Sequence, residues 1–212
     1  MFLKMSPEER LQANDNAARA ILELRDAYQQ KKTTGTDLSA LLEGLIKAEI
    51  KFILVGGLAA VVQGAPVTTM DVDIVHSRSS ENITKLLAFL KSIRAFHRRL
   101  DDKIIEPKEK DFSGTGHALF TTRLGSLDVL AVIEQGKAYE DLLEHTVEIE
   151  FRGLTIHVLD LKMLVELKRT SKDPKDKQRL PVLEETLRQL EKKFGSYMGT
   201  ARTSTKDDGS DS

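Results

Sequence analysis

The residues best suited to chemistry in this 212-residue chain are two aspartates one residue apart, Asp71 and Asp73. They lie among the apolar residues Val72, Ile74 and Val75, a pattern typical of a buried strand. Because side chains repeat every two residues along a strand, both carboxylates project from the same face. Two such charges repel each other unless a cation lies between them, and carboxylate oxygens suit Mg²⁺. The pattern therefore predicts a metal site.

A third carboxylate and a pair of glycines could complete this site. Asp128 is a lone acid in the apolar run GSLDVLAV, which predicts a second strand. If the two strands are neighbours, three aspartates converge and can hold two divalent ions, the arrangement that serves phosphoryl transfer. Gly56 and Gly57 follow the predicted strand 51–55 and precede a small-residue helix. A turn without side chains beside the N–H groups of a helix is a candidate phosphate site.

Short strands and amphipathic helices must position these residues. The predicted helices cover residues 6–30, 37–50, 58–63, 82–99, 159–168 and 180–194, and the predicted strands are 51–55, 71–76 and two hairpins at 117–133 and 147–158. Because the strands are short and two pairs form hairpins, we expect an α/β fold of the α+β type, a mixed sheet flanked by helices.

The same pattern predicts four segments. Residues 1–36 should form an N-terminal helical arm and linker, 37–158 the core, 159–194 a C-terminal helical cap, and 195–212 a disordered tail. The tail is rich in Ser, Thr, Gly and Asp and has no apolar periodicity, which is typical of disorder.

Composition excludes several kinds of site. The chain has no cysteine, which rules out a disulfide scaffold, a thiolate metal site and a cysteine nucleophile. Its net charge of −1 gives no overall field for nucleic acid, although basic residues concentrate in segments 85–99 and 162–179, where RNA phosphates could bind. Without a signal peptide or an apolar run of about 20 residues, the chain is expected to be cytoplasmic with no membrane partner.

The spacing of the glycines and aspartates resembles that of a known family. An apolar strand, Gly56-Gly57, thirteen intervening residues and then Asp71-x-Asp73 is similar to the pattern of the nucleotidyltransferase superfamily, which has the DNA polymerase beta-like fold. With Thr69 two residues before Asp71, the pattern most resembles the minimal bacterial branch, which includes abortive-infection toxins.

The resemblance continues into the later part of the chain and covers about residues 38 to 190. In the closing helices of that branch a lysine precedes a Lys-Asp pair, as Lys168 precedes Lys175-Asp176 here. Three positions depart from the family: Val67 stands where many relatives carry arginine, Asp173 stands where an arginine precedes the Lys-Asp pair, and Arg179 stands where a later aspartate is found.

This resemblance implies transfer of a nucleoside monophosphate from a nucleoside triphosphate to an acceptor, with release of pyrophosphate. By this analogy Asp71, Asp73 and Asp128 bind Mg²⁺, or Mn²⁺ in its place, and Asp128 activates the acceptor hydroxyl and takes its proton. Gly56, Gly57 and Thr69 hold the phosphates, and Lys168 neutralises their charge. Such sites act mainly by positioning and by neutralising charge.

Several partners and two other functions remain open from the sequence. RNA or protein is favoured as the acceptor, and the resemblance to toxins implies an antitoxin-type partner protein. The loss of arginine at Val67 favours one alternative, a catalytically silent nucleotide-binding or regulatory protein of the same fold. Another is an antibiotic-type enzyme with a small hydroxylated acceptor. An acidic cleft would suit a polycationic drug, whereas a basic rim would favour RNA.

Overall fold

A computed structural model describes residues 2–29, 36–101 and 103–201, with side chains described within 2–23, 36–101 and 103–193. Its helices are α1 (Pro7–Gln29), α2 (Leu38–Lys47), α3 (Gly56–Val62), α4 (Ser80–Ser92), α5 (Tyr139–Leu142), α6 (Leu161–Thr170) and α7 (Pro174–Ala201). Its strands are β1 (Phe52–Val55), β2 (Asp71–His76), β3 (Phe96–His97), β4 (His117–Thr122), β5 (Gly125–Leu130), β6 (Thr146–Phe151) and β7 (Leu154–Leu159).

The seven strands form one mixed sheet in the order β3-β4-β5-β2-β1-β7-β6. The β2–β5 and β1–β7 pairs are parallel, and the other pairs are antiparallel. The predicted fold class, a mixed sheet flanked by helices, is therefore confirmed. The central position belongs to β2, the strand that carries Asp71 and Asp73, so the candidate site lies at the middle of the sheet.

Helix α1 packs against the rest of the fold through its apolar face. Leu11 and Ala18 on this helix are fully buried, and the helix contacts α2, α3 and β6. Helix α2 begins at an Asp37 cap, whose side chain accepts from the Ala40 backbone N–H, and buries Leu41, Leu42 and Leu45 on one face. Helices α1 and α2 therefore both contribute buried apolar side chains to the fold.

The helix predicted over residues 82–99 is wrong beyond its middle. Helix α4 ends at Ser92, and Arg94 adopts a left-handed φ of 54° that turns the chain back towards the sheet. Phe96 and His97 then pair with β4 as the edge strand β3. The reason is that the apolar repeat of α4 ends at the buried Ile93, and the following residues gain more from pairing and burial in the sheet.

The ends of the chain differ from the predicted boundaries in two ways. Helix α7 begins at Pro174, before the predicted 180, because Asp173 caps the Lys175 N–H and proline suits the first helical position. It also continues to Ala201, past the boundary predicted at 194. Residues 30–35 of the predicted linker and 202–212 of the predicted tail lie outside the described residues, and the four-segment division stays a prediction.

In the part of the chain that is described, no helix has both the length and the apolar character needed to cross a membrane.

Candidate functional site

Parallel pairing of β2 and β5 brings three carboxylates together. Asp73 lies directly opposite Asp128 in the register of these strands, and Asp71 is two residues from Asp73 on the same face. One oxygen from each of the three side chains lies within 4.8 Å of the others. We call these three residues the carboxylate cluster. The sequence predicted this convergence only on the condition that the strands are neighbours, and they are.

When no cation is bound, the three carboxylates of the cluster repel one another. Burial and, after it, the nearby charges of Asp71 and Asp128 raise the pKa of Asp73 to about 7, although Lys168 and the Gly57 N–H act in the opposite direction. Burial also raises the pKa of Asp128, against the effect of a neighbouring arginine. Three hard oxygen donors at this spacing fit a divalent cation such as Mg²⁺, which would relieve the repulsion.

The glycine pair allows the backbone to approach the cluster closely. Gly56 has a φ of +68°, and a Cβ built there would overlap the Asp73 Oδ2 atom. A Cβ on Gly57 would lie 2.7 Å from the Thr69 Oγ1 atom. Both positions therefore require glycine for steric reasons, and the first also requires it for its backbone conformation.

Thr69 links the cluster to helix α1. Its hydroxyl donates to Asp71 Oδ1 at 2.6 Å, and its backbone N–H donates to Asn14 Oδ1 at 2.9 Å. Thr69 and Asn14 are both almost fully buried. Sequence reasoning missed Asn14, although its spacing from Leu11 and Ala18 places it on the apolar face of α1, where a polar residue calls for a partner.

A polar cavity of about 260 Å³ opens beside the glycine pair and Asp71. Three cationic side chains from the closing helices line it: Lys168, Lys175 and Arg179. The Lys168 Nζ atom forms an ion pair with Asp176 Oδ1 at 3.0 Å, and Arg179 Nη2 donates to the Thr68 carbonyl at 3.2 Å. The sequence pointed to Lys168 through the resemblance but treated Arg179 only as a departure from the family.

An apolar cavity of about 450 Å³ lies on the other side of Lys168 and reaches both Asp73 and Asp128. Its walls include apolar side chains from the end of β7, from α6 and from the segment after β5, namely Leu159, Leu164, Leu167 and Ile133. A cavity with apolar walls and charged groups at one end suits a flat organic ring that carries a polar substituent.

Asp128 has a partner that the sequence did not indicate. Arg98 Nη2 lies 2.7 Å from one oxygen of Asp128 and 2.9 Å from the other. Arg98 directly follows β3, and its backbone N–H donates to the Leu119 carbonyl, which extends the edge of the sheet. The wrong prediction of a helix to residue 99 concealed this contact, since on a helix Arg98 belongs to a solvated basic face.

A groove of about 420 Å³ runs along this edge and is lined by Arg98, the partner of Asp128. Its lining is mainly basic, and we call it the basic groove; the charged side chains are Arg98, Arg99, Lys108, Lys110, Glu106 and Asp111, with His97 and His117. Besides Arg98, three of these side chains are paired, since His97 Nε2 lies 2.9 Å from Asp111 Oδ2 and Arg99 pairs with Asp101. The four Arg and Lys residues outnumber the two acids.

No protein-family model matches this chain, and no curated protein matches it. Among solved structures, this chain is similar to the lincomycin-bound lincosamide antibiotic adenylyltransferase LnuA, with 13% identity, a TM-score of 0.48, and coverage of 70% of this chain and 95% of that chain. Another is TM1012 from Thermotoga maritima, a candidate nucleotidyltransferase, with 16% identity, a TM-score of 0.44, and coverage of 73% and 92%. The antibiotic-resistance factor ANT(2'')-Ia has 12% identity, a TM-score of 0.44, and coverage of 78% and 95%.

The first two of these structures are named for nucleotide transfer. Since all three TM-scores are below 0.5, the likeness supports no functional statement about this chain.

Proposed function

We propose that this chain is a metal-dependent nucleotidyltransferase, which moves a nucleoside monophosphate from a nucleoside triphosphate to an acceptor and releases pyrophosphate. The observation that carries the proposal is the carboxylate cluster, three aspartate oxygens within 4.8 Å of one another. The cluster directly adjoins the Gly56-Gly57 turn and a cavity with three cationic side chains. Carboxylates for a divalent cation beside cations for phosphate form the donor set that phosphoryl transfer requires.

Asp71, Asp73 and Asp128 would hold Mg²⁺, or Mn²⁺ in its place. The bound ion would supply charge neutralisation for the phosphates of the nucleotide. Thr69 holds Asp71 in place through the hydrogen bond from its hydroxyl, so the cluster is organised before any ligand binds.

The polar cavity is the proposed site for the phosphates. Gly56 and Gly57 leave its floor free of side chains, and Lys168 lies at its edge, where its ammonium group can move from Asp176 to a phosphate oxygen. Arg179 reaches the same cavity beside Val67. We propose that Arg179, supplied by α7, provides the positive charge that the family's arginine would supply at position 67.

In the proposed reaction the oxygen of an acceptor hydroxyl attacks the α-phosphorus. The bond from this phosphorus to the bridging oxygen breaks, and pyrophosphate leaves with the electron pair. An Asp128 oxygen takes the proton of the attacking hydroxyl, and the raised pKa of this carboxyl makes it a better base than an ordinary aspartate. The other side chains bind and orient the two substrates.

The basic groove favours an anionic acceptor, and we propose RNA. The groove is lined by Arg98, which bonds Asp128, the residue proposed to activate the acceptor, and its four Arg and Lys side chains suit phosphodiester groups. A polycationic antibiotic would be repelled there, and a protein acceptor gains no particular complementarity. Membership of the toxin-like branch, an antitoxin-type partner and a cytoplasmic location stay predictions from the sequence.

The test is to incubate the protein with each α-labelled nucleoside triphosphate and Mg²⁺, using total RNA or cell protein as acceptor. The inactive variant is Asp71→Ala/Asp73→Ala. The matched control is Glu148→Ala/Glu150→Ala, which removes an exposed pair of acids at the same spacing from the edge strand β6. Label in RNA with wild type and the control, but not with the inactive variant, supports the proposal.

Other outcomes separate the alternatives. Label in protein alone would overturn RNA as the acceptor while keeping the enzyme. Nucleotide binding without release of pyrophosphate would favour the catalytically silent regulatory protein, and the absence of both would overturn the proposed function.

A further inference from the structure

Asp128 differs from the other two carboxylates because a cation of the protein itself already neutralises it. Both of its oxygens accept from one nitrogen of Arg98, at 2.7 and 2.9 Å. The same oxygens are the ones that Asp128 would offer to a divalent ion in the carboxylate cluster. A guanidinium and a divalent cation on the same carboxylate repel each other, so Arg98 weakens the binding of an ion at Asp128.

The geometry and exposure of the Arg98–Asp128 contact allow it to open. Both hydrogen bonds come from Nη2 alone, so Arg98 lacks the two-nitrogen fork that makes arginine–carboxylate pairs strongest. The Arg98 side chain is 36% exposed, compared with 14% for Asp128, and it lines the open basic groove. The groove therefore offers Arg98 another position close to its present one.

The residues around the other two aspartates offer no comparable block. Asp71 accepts a hydrogen bond from the neutral hydroxyl of Thr69, and Lys168, whose charge acts on Asp73, forms its ion pair with Asp176 instead. A divalent ion can therefore reach Asp71 and Asp73 while Arg98 stays on Asp128. A second ion, which needs Asp128, has to compete with Arg98 for this carboxylate.

We propose that Arg98 is a displaceable counter-ion for Asp128, which keeps the position of a second divalent ion closed in the free protein and thereby weakens the binding of that ion. This inference rests on the metal site of the proposed function. It concerns Arg98 as a positioning residue, since the guanidinium acts on the metal through Asp128.

The experiment is a Mn²⁺ titration of the full-length protein, in which the electron paramagnetic resonance signal of free Mn²⁺ reports the amount bound. Arg98→Gln removes the charge and should bind the second Mn²⁺ at least about tenfold more tightly than wild type, because a unit charge at contact distance is lost. Arg99→Gln is the matched control: it removes the adjacent arginine, which pairs with Asp101, and should leave the isotherm unchanged.

A double-variant comparison shows whether the effect passes through Asp128. In an Asp128→Asn background, Arg98→Gln should no longer tighten Mn²⁺ binding, because the carboxylate that Arg98 occupies is gone. Arg98→Met, which has a long uncharged side chain, repeats the test if circular dichroism shows that Arg98→Gln is misfolded.

Identical isotherms for wild type and folded Arg98→Gln would overturn this inference and leave the metal site intact. The absence of Mn²⁺ binding to wild type and to every variant would instead overturn the metal site of the proposed function. An equal tightening by Arg99→Gln would show a general charge effect and would also overturn the role of Arg98.

Discussion

Asp73 and Asp128 lie opposite each other on neighbouring strands, yet the protein holds them in different ways. Asp73 is enclosed by its own segment: Gly56 leaves no room for a Cβ beside it, and burial raises its pKa to about 7. Asp128 is held by Arg98, which comes from the far edge of the sheet. Asp73 is tightly packed beside two like charges. Asp128 is paired with Arg98, a side chain that lines the basic groove.

This difference indicates that the two sides of the cluster bind different substrates. The Asp73 side, with its glycine turn and the cations of α6 and α7, is organised in advance for a ligand rich in negative charge. On the Asp128 side, the exposed Arg98 and the basic groove suit a larger and more variable second substrate. Substitutions on the Asp73 side should therefore weaken nucleotide binding, whereas substitutions on the Asp128 side should slow transfer and leave nucleotide binding intact.

Asp73→Asn should have the largest effect. Because Asp73 is the central oxygen donor of the cluster, its loss should abolish both Mg²⁺-dependent nucleotide binding and transfer, with activity reduced on the order of 10³-fold or more. The measurements are calorimetric nucleotide binding and label transfer, with circular dichroism to show that the fold is kept. Wild-type activity in this variant would contradict the role given to the cluster.

Asp128→Asn should impair only the Asp128 side of the cluster, and therefore transfer but not nucleotide binding. We expect transfer to fall by about 10²- to 10³-fold, because the base for the acceptor hydroxyl is lost. Nucleotide affinity should stay within a few-fold of wild type, since the glycine turn, Asp71 and Asp73 remain. Equal loss of nucleotide binding in Asp128→Asn and Asp73→Asn would remove the distinction between the two sides.

Gly56→Ala tests the close approach on the Asp73 side. Its methyl group must displace the Asp73 carboxylate, and its backbone has to keep a φ of +68°, so we expect transfer to fall by about 10²-fold. Gly136→Ala is the control, because Gly136 has a similar φ of +73° but no atom within 4 Å of its Cβ position. The control should lose about 1 kcal/mol of stability and keep its activity. Equal activities of the two variants would show that the overlap with Asp73 is unimportant.

The difference between the two sides also explains what the sequence could predict. The Asp73 side lies within residues 55–73, where strand periodicity, a glycine pair and a fixed spacing define the geometry through local rules. Asp128 could be found as a lone acid in an apolar run. Its position opposite Asp73, however, depends on the order of the strands, which no local rule gives.

The residues missed by sequence reasoning all reach the site from distant elements. Arg98 depends on where α4 ends, and this is decided by the turn at Arg94 and the pairing of β3. Arg179 depends on how α7 folds back over the glycine turn, and Asn14 on how α1 packs against α3. Such contacts join residues up to about a hundred positions apart in the chain, and local patterns carry no information about their partners.

Because Asp73 is buried beside two like charges, we expect the stability of the metal-free protein to depend on pH. Because the folded-state pKa is raised from 3.8 to about 7, the folded protein binds this proton more tightly than the unfolded chain does. This contribution to stability is present at low pH and is lost as pH rises through about 7. In EDTA, the wild-type Tm should therefore fall between about pH 5 and pH 7.5. The lowered pKa of His76 acts in the opposite direction near pH 6.5, and Asp73→Asn, which keeps His76, separates the two effects.

Two comparisons assign this pH effect to the carboxylate cluster. Mg²⁺ should flatten the fall in Tm, because a bound cation keeps the carboxylates ionised at little cost. Asp73→Asn should flatten it without Mg²⁺ and should be more stable than wild type at pH 8.5. A Tm that is independent of pH in metal-free wild type would contradict the strain on Asp73.

Asn14→Ala should have the smallest effect, and it tests whether helix α1 belongs to the Asp73 side. The variant leaves the buried Thr69 N–H without its acceptor, which should cost about 1–3 kcal/mol of stability. Thr69 then holds Asp71 less firmly, so the KM for the nucleotide should rise by about tenfold while kcat falls less. Asn16→Ala, an exposed change on the same helix, is the control. A loss of stability in Asn14→Ala with KM unchanged would mean that α1 only supports the fold. A raised KM for the nucleotide, with the Asp128 side unaffected, would show that helix α1 helps to hold the Asp73 side of the site in place.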